Sequence, residues 1–310
     1  MKGEAIFVLS DNRSGSTLVD QLLGAHPEIC SVGELHWLDA YARQDRTIYD
    51  PVHPLVCMCG KTLDECSFWQ SVRTRLGASL DSFRVRLRAF ESFKAQHGLR
   101  ARLRRLPSRV LRRWPASFKY AIVQSIYGGR KLARDTWALL DAVLDVSRTR
   151  YVVDSSKSPF RFRATRDLHP DRVKVILLAR DYRAVVYSKM KRGASLEAAA
   201  LSWRNTMLSI DALTADLPHG CRWQLRYEDL CKDPQRELTR LCEFLGLDFT
   251  PAMLERPTKD IHHLGGSPSK FDPARATISL DTAHEKTPFD PGALAELRHL
   301  VGDSADMWGY

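Results

Sequence analysis

The chain has 310 residues, 44% hydrophobic and 27% charged, a composition that supports a large packed core and argues against wholesale disorder. No apolar run reaches 18 residues, which excludes a membrane-spanning helix, and the short apolar start Ala5 to Leu9 ends at polar Ser10-Asp11-Asn12-Arg13, which is not the pattern of an export signal. Seven cysteines, an odd number, then read as reduced thiols, and the expected compartment is the cytoplasm.

In chain order, Ala5 to Ser10 reads as a buried strand, bounded by turn residues. The loop Asp11 to Gly15 follows, then a helix from Ser16 with Leu18, Leu22 and Leu23 on its apolar face, ended by His26-Pro27. Ile29 to Val32 reads as a second strand leading to Gly33-Glu34. Residues 68–146 carry no strand signal and read as a helical insertion in a single domain spanning 1–310. Further strands are expected at Tyr151 to Val153, Val173 to Ala179 and Arg222 to Leu225, with helices at Arg183 to Lys191, Leu196 to Leu213 and Gln235 to Leu245. Strands alternating with helices predict an α/β fold of the P-loop type, three layers deep, with a central parallel sheet.

The net charge of +10 is concentrated. Arg73 to Lys119 holds 14 Lys or Arg against Asp81 and Glu91, so the rest of the chain sums to about −2. Leu99, Leu103, Leu106, Val110 and Trp114 recur at helical spacing within it. A solvated charged face accounts for such a run, and so does an anion-binding wall.

A strand, a small polar loop and a helix N-terminus form an anion site, because free backbone N–H groups and the helix dipole converge there. The NTPase version needs G-x-x-x-x-G-K-[ST]. Here the stretch is Ser10 to Thr17, with Ser10 at the first glycine and Ser16 at the lysine position. The positive charge stands at Arg13 instead. That disfavours a nucleotide kinase, although Val152-Val153-Asp154 imitates the acid-ended strand such an enzyme needs. Arg180 stands at the end of an apolar strand with Ser188 eight residues on in the next helix, a pattern that fits a surface Arg180–Asp181 ion pair and an ordinary helix serine as well as a phosphate-binding pair. A guanidinium grips phosphate in two places and a hydroxyl adds a donor.

Arg13-Ser14-Gly15-Ser16-Thr17 together with the Arg180/Ser188 pair resembles the sulfotransferases that use 3′-phosphoadenosine-5′-phosphosulfate (PAPS). Ala25-His26-Pro27 and Gly33-Glu34 are similar to the tyrosylprotein and carbohydrate branch, with one residue more between loop and glutamate. The resemblance implies transfer of a sulfonate group from PAPS to an acceptor hydroxyl. It implies that Arg13, Ser14, Gly15, Ser16 and Thr17 grip the 5′-phosphosulfate and that Arg180 and Ser188 hold the 3′-phosphate. Tyr227, in Tyr227-Glu228-Asp229-Leu230, would meet the adenine, though a buried structural tyrosine fits the same pattern. Glu34 would be the catalytic base, with Lys157 and Arg13 stabilising the transition state. Ser267, after Gly265-Gly266, would belong to a mobile cover that meets the phosphosulfate. No metal is required by this chemistry. The partners expected are PAPS and a hydroxyl acceptor with anionic groups, or an anionic membrane surface reached through the basic segment, and no nucleic acid. A non-catalytic polyanion or membrane binder is the rival from another class.

Cys57, Cys59 and Cys66 form a local cluster, with His53 as the nearby fourth donor. Cys-x-Cys departs from the usual zinc knuckle, so a packed turn or a labile disulfide is the expectation for it.

Overall fold

The computed structural model describes residues 3–46, 54–86, 120–121, 128–257, 261–271, 278–280 and 289–310. Among them, five parallel strands form one sheet in the order β2-β3-β1-β4-β5. The strands are β1 (Glu4–Leu9), β2 (Ile29–Ser31), β3 (Tyr151–Asp154), β4 (Val173–Ala179) and β5 (Arg222–Arg226).

Strand alternation builds two cores from one sheet. Ala5, Phe7 and Leu9 of β1 and Val173, Val175 and Leu177 of β4 face one hydrophobic layer. Ile6 and Val8, with Ile176 and Leu178, face the other. Both faces are therefore covered, which is why these strands read as continuous apolar runs. The central register pairs Ala5 with Val173 and Leu9 with Leu177, while Phe7 stands beside Asp154 on the other side.

The first core packs against α3 (Ser67–Leu76), α4 (Gly129–Ser147), α5 (Pro159–Leu168), α6 (Tyr182–Met190), α7 (Leu196–Thr214) and α10 (Pro291–Val301). The second packs against α1 (Ser16–Gly24), α8 (Tyr227–Lys232) and α9 (Pro234–Leu245). Two short helices, α2 (Leu38–Arg43) and α11 (Ser304–Met307), complete the described set. Trp69 of α3 and Trp203 of α7 are fully enclosed.

The sequence-based helices land within a residue or so of α6, α7 and α9. On α1 the apolar face is displaced: Val19, Leu22 and Leu23 are buried, whereas Leu18 is only half-buried. Helix α5 was not expected, although Ser158 accepts a hydrogen bond from the Arg161 amide at 3.3 Å and Pro159 opens the first turn, an ordinary helix start. The ends of the expected insertion are core helices rather than an appendage. Trp69 and Val72 of α3 and Trp137, Leu139 and Leu140 of α4 all enter the first core. Its basic middle, residues 87–119, lies outside the described residues. Among the described residues no helix is long and apolar enough to cross a membrane.

Candidate active site

The site forms where β1, β3 and β4 end, the edge of an open α/β sheet where ligands bind. Leu9 ends β1, and the chain turns through Ser10 to Gly15 into α1. Two residues of this turn take left-handed backbone: Arg13 (φ 74°) and Gly15 (φ 91°). Gly15 is required twice over, since a Cβ there would stand 2.4 Å from the Tyr227 ring. Inside the loop the Ser14 hydroxyl is fully buried with no hydrogen-bond partner, and so is that of Ser10. Buried hydroxyls are ordinarily satisfied, so an orphan within this strand-to-helix loop fits a ligand that completes it.

The other expected ligands gather round this loop. The Arg13 guanidinium donates to the Ser188 hydroxyl at 3.0 Å, and Arg180 donates to the Arg13 carbonyl at 3.0 Å. The Arg180 guanidinium lies 4.5 Å over the Tyr227 ring, and Tyr227 in turn donates to the Ser279 carbonyl at 3.3 Å. Arg13, Ser188, Arg180 and Tyr227, far apart in sequence, thus form one continuous cluster. The Asp181 amide donates to Glu228 at 3.0 Å, and Tyr310 donates to the other oxygen of that carboxylate at 2.5 Å, so the end of the chain braces the turn after β4.

Glu34 follows β2 and meets Lys157, which follows β3. The lysine ammonium is ion-paired with Glu34, and Trp37 donates to the second carboxylate oxygen at 2.9 Å. Lys157 is held in left-handed backbone, φ 58°, a conformation that ordinary residues adopt only under constraint. Burial alone would raise the Glu34 carboxyl, yet the Lys157 charge and hydrogen bond chiefly, with the Trp37 hydrogen bond, bring it down to about 2. His36 beside it is driven down to about 3 by burial, so its imidazole is neutral. The His36 amide donates to Ser156 at 3.0 Å, which ties the two loops together, while its Nδ1 has no partner.

Residues 262–270 close the site from a third side. Leu264 bridges Gly33 in parallel fashion: the Glu34 amide donates to the Leu264 carbonyl at 2.8 Å and the Leu264 amide to Val32 at 2.9 Å. Gly265 receives the Glu34 side chain so closely that a Cβ would stand 2.8 Å from the Glu34 Cβ. The Ser267 amide donates to the Thr17 hydroxyl at 3.0 Å, so Ser267 stands against the first turn of α1. Lys270 is buried and spans the segment with bonds to the Gly265 carbonyl at 2.6 Å and the His263 carbonyl at 3.4 Å; burial lowers its ammonium to about 8. The segment expected as a mobile cover is hydrogen-bonded at Leu264, Gly265, Ser267 and Lys270.

Beneath these loops lies a network that sequence reading missed. Asp20 of α1 accepts from Ser31 at 2.6 Å and from Ser155 at 2.5 Å, and stands 2.6 Å from the His263 ring nitrogen. Asp20 and His263 are wholly buried. Nothing in the local pattern distinguishes Asp20 from a solvated helix acid. Its partners arrive from up to 243 positions away.

Arg13, Ser188, Arg180 and Tyr227 thus make one basic cluster at the loop after β1, and Glu34 with Lys157 makes a nearly enclosed carboxylate–lysine pair. The chain matches the family described as "Sulfotransferase family" over residues 5–251, and that described as "Sulfotransferase domain" over 223–290. The first match covers most of the chain, and the protein belongs to the sulfotransferase family. It is a sulfotransferase, with PAPS as co-substrate and a hydroxyl as acceptor. No curated protein matches the chain in sequence. Among solved structures it is similar to a sulfotransferase domain from the curacin biosynthetic pathway, at 21% identity and TM-score 0.55, covering 96% of this chain and 97% of that one. It is also similar to the sulfotransferase domain of the Synechococcus PCC 7002 olefin synthase, at 21% identity and TM-score 0.52, covering 100% and 96% of the two chains. Sulfotransferase STF1 of Mycobacterium tuberculosis H37Rv gives 15% identity and TM-score 0.50, with 97% and 77% covered. These likenesses carry the fold, and the kinase and polyanion-binder readings find no support among them.

Proposed function

We propose that Glu34 is the general base and that Lys157 and Arg13 neutralise charge developing on the transferring group. The observation that carries this reading is the nearly enclosed Lys157–Glu34 ion pair, packed against Gly265 in the same segment whose Ser267 amide meets Thr17, with a carboxylate that stays ionised throughout the neutral range. Bound PAPS supplies an activated sulfonate with PAP as leaving group. Ser14, Gly15, Ser16 and Thr17 would hold its phosphosulfate end, Arg180 and Ser188 its 3′-phosphate, and Tyr227 its adenine, with Ser267 bounding the site. The orphaned Ser14 hydroxyl and the glycine cradle under Tyr227 support that placement. Glu34 accepts the proton of the acceptor hydroxyl. While Lys157 is paired with it, the carboxylate is a weak base. A lysine drawn towards an anionic donor would loosen that hold and make Glu34 more basic as the site fills.

For the acceptor we infer a hydroxyl compound carrying anionic groups, received near the basic segment. The support is charge alone: +12 over Arg73 to Lys119, dominated by arginine. Part of that charge is already engaged, since Arg73 pairs with Asp64, Arg75 with Asp145 and Arg86 with Asp39.

The test has two arms. Arg180→Ala should weaken PAP binding by about 2–4 kcal/mol, the value of a charged bidentate contact, by calorimetry. Glu34→Gln should leave PAP binding nearly intact and lower turnover by ~10²-fold or more. Full turnover in Glu34→Gln rules it out as base and points to neutral His36, whose Nδ1 is unpartnered.

A further inference from the structure

Three cysteines near the start of α3 and one histidine from the segment closing the active site meet at a single point. The donor atoms of Cys57, Cys59, Cys66 and His262 all lie within 4.8 Å of one another. The Cys57 and Cys66 sulfurs are 3.8 Å apart, and His262 Nδ1 stands 3.3 Å from the Cys66 sulfur and 3.7 Å from that of Cys57. Zinc bonds sulfur at about 2.3 Å and imidazole nitrogen at about 2.0–2.1 Å. A tetrahedron with those arms has edges of about 3.8 Å between sulfurs and about 3.6 Å between sulfur and nitrogen. The observed separations surround these values. A disulfide demands sulfurs at about 2.05 Å, and all seven cysteines are free thiols. His53, the histidine close in sequence, lies outside the described residues, and His262 takes the fourth place.

The surroundings fit a site held in readiness. The Cys57 amide donates to the Lys61 carbonyl at 2.8 Å and the Gly60 amide to the Cys57 carbonyl at 2.8 Å, a tight turn that Gly60 makes at φ 83°. This turn presents Cys57 and Cys59 together although a single residue separates them. Cys66 is the N-cap of the ten-residue helix α3, whose dipole favours a thiolate there. The His262 ring stacks on Phe68 with centroids 4.5 Å apart and planes 5° from parallel, which fixes its orientation.

We propose that Cys57, Cys59, Cys66 and His262 bind one structural zinc ion. Three soft sulfurs and an imidazole nitrogen are a zinc donor set, and four protein ligands leave no open position for catalysis. The ion joins the turn before α3 to the segment that closes the active site. Immediately after His262 come His263 against Asp20, Leu264 against Gly33, and Gly265 over Glu34. The Met58 amide also donates to the His263 carbonyl at 3.2 Å, so the two strands of chain run together at the ion. The zinc thus anchors one end of the segment whose other end, Ser267, stands against the first turn of α1.

The test is independent of sulfonate transfer, because it reads metal directly. Full-length protein made in zinc-supplemented medium and kept reduced should carry one zinc per chain by elemental analysis after gel filtration. Cys66→Ser and His262→Ala should each lose that zinc, while Cys221→Ser retains it. Should those variants fold poorly, wild-type protein stripped with a chelator and titrated with cobalt should develop the visible absorption of a tetrahedral cobalt thiolate at one equivalent. The stripped protein should also melt at a lower temperature and recover on adding zinc. Absence of both bound zinc and the cobalt bands in reduced protein overturns the proposal. So does zinc that persists in Cys66→Ser and His262→Ala, or a Cys57–Cys66 disulfide found in freshly isolated protein.

Discussion

Glu34 illustrates how a residue 123 positions away, Lys157, sets the chemistry of a carboxylate. Each is nearly enclosed, with side-chain exposures of 12% and 9%, so the attraction between them is little screened by water. The lowered carboxyl has a defined signature. Its folded-state value of about 2 lies below the ordinary 4.5, so the unfolded chain binds the extra proton between those limits. The stabilisation is therefore complete above about pH 4.5 and disappears as pH falls towards 2. Urea denaturation of wild type and Glu34→Gln should show wild type ahead by at most about 3 kcal/mol at pH 6, narrowing steadily below pH 4.5. A gap that is constant with pH would show that the pair does not govern Glu34.

At the scale of elements, the site is a junction of the chain segments that follow β1, β2, β3, β4 and α9, and the Asp20 network ties α1, β2, the turn after β3 and the 262–270 segment together. One carboxylate serves Ser31, Ser155 and His263, each from a different segment. Removing it would strand those groups in a dry interior, where an unmet polar group costs about 1–3 kcal/mol. Asp20→Ala should therefore lose about 3 kcal/mol or more of stability in chemical denaturation, and PAP affinity should fall with it because Ser267 is displaced from Thr17. Asp20→Asn, which keeps one acceptor oxygen, should fall between. An Asp20→Ala protein as stable as wild type would mean that water replaces the network.

For the whole molecule, charge is the feature that chain length and core do not explain. The described part of the basic segment spends Arg73, Arg75 and Arg86 on acids elsewhere, and Arg86 does so while buried and 5.1 Å over the Trp37 ring beside Glu34. Arg102, Arg104 and Arg105 lie in the undescribed middle. Reversing all three to Glu should raise the acceptor KM steeply, leave PAPS affinity unchanged and flatten the salt dependence, since exposed charges are screened within about 8–10 Å at physiological salt. Steady-state kinetics at two ionic strengths decides it. An acceptor KM and a salt dependence both matching wild type would make the segment an ordinary surface.

What this sequence determines alone are the local, repeating features. Apolar runs marked β1, β3 and β4 because a sheet buried on both faces demands them, the edge strands β2 and β5 showed only short stretches between turn residues, and the loop from Arg13 to Thr17 could be read as an anion site because its residues are consecutive. Arg180 and Ser188 could be paired as candidates for the same reason, being one strand end and two helical turns apart. The tertiary structure alone decided what depends on distant segments meeting. Helix and strand signals act over a few residues, whereas Asp20 finds His263, Glu34 finds Lys157, and Cys57, Cys59 and Cys66 find His262 through the path of the whole chain. The fourth donor shows the limit most clearly. His53, the donor nearest in sequence, lies outside the described residues, while the parallel bridge between Gly33 and Leu264 brings His262, some 200 residues away, to the three cysteines.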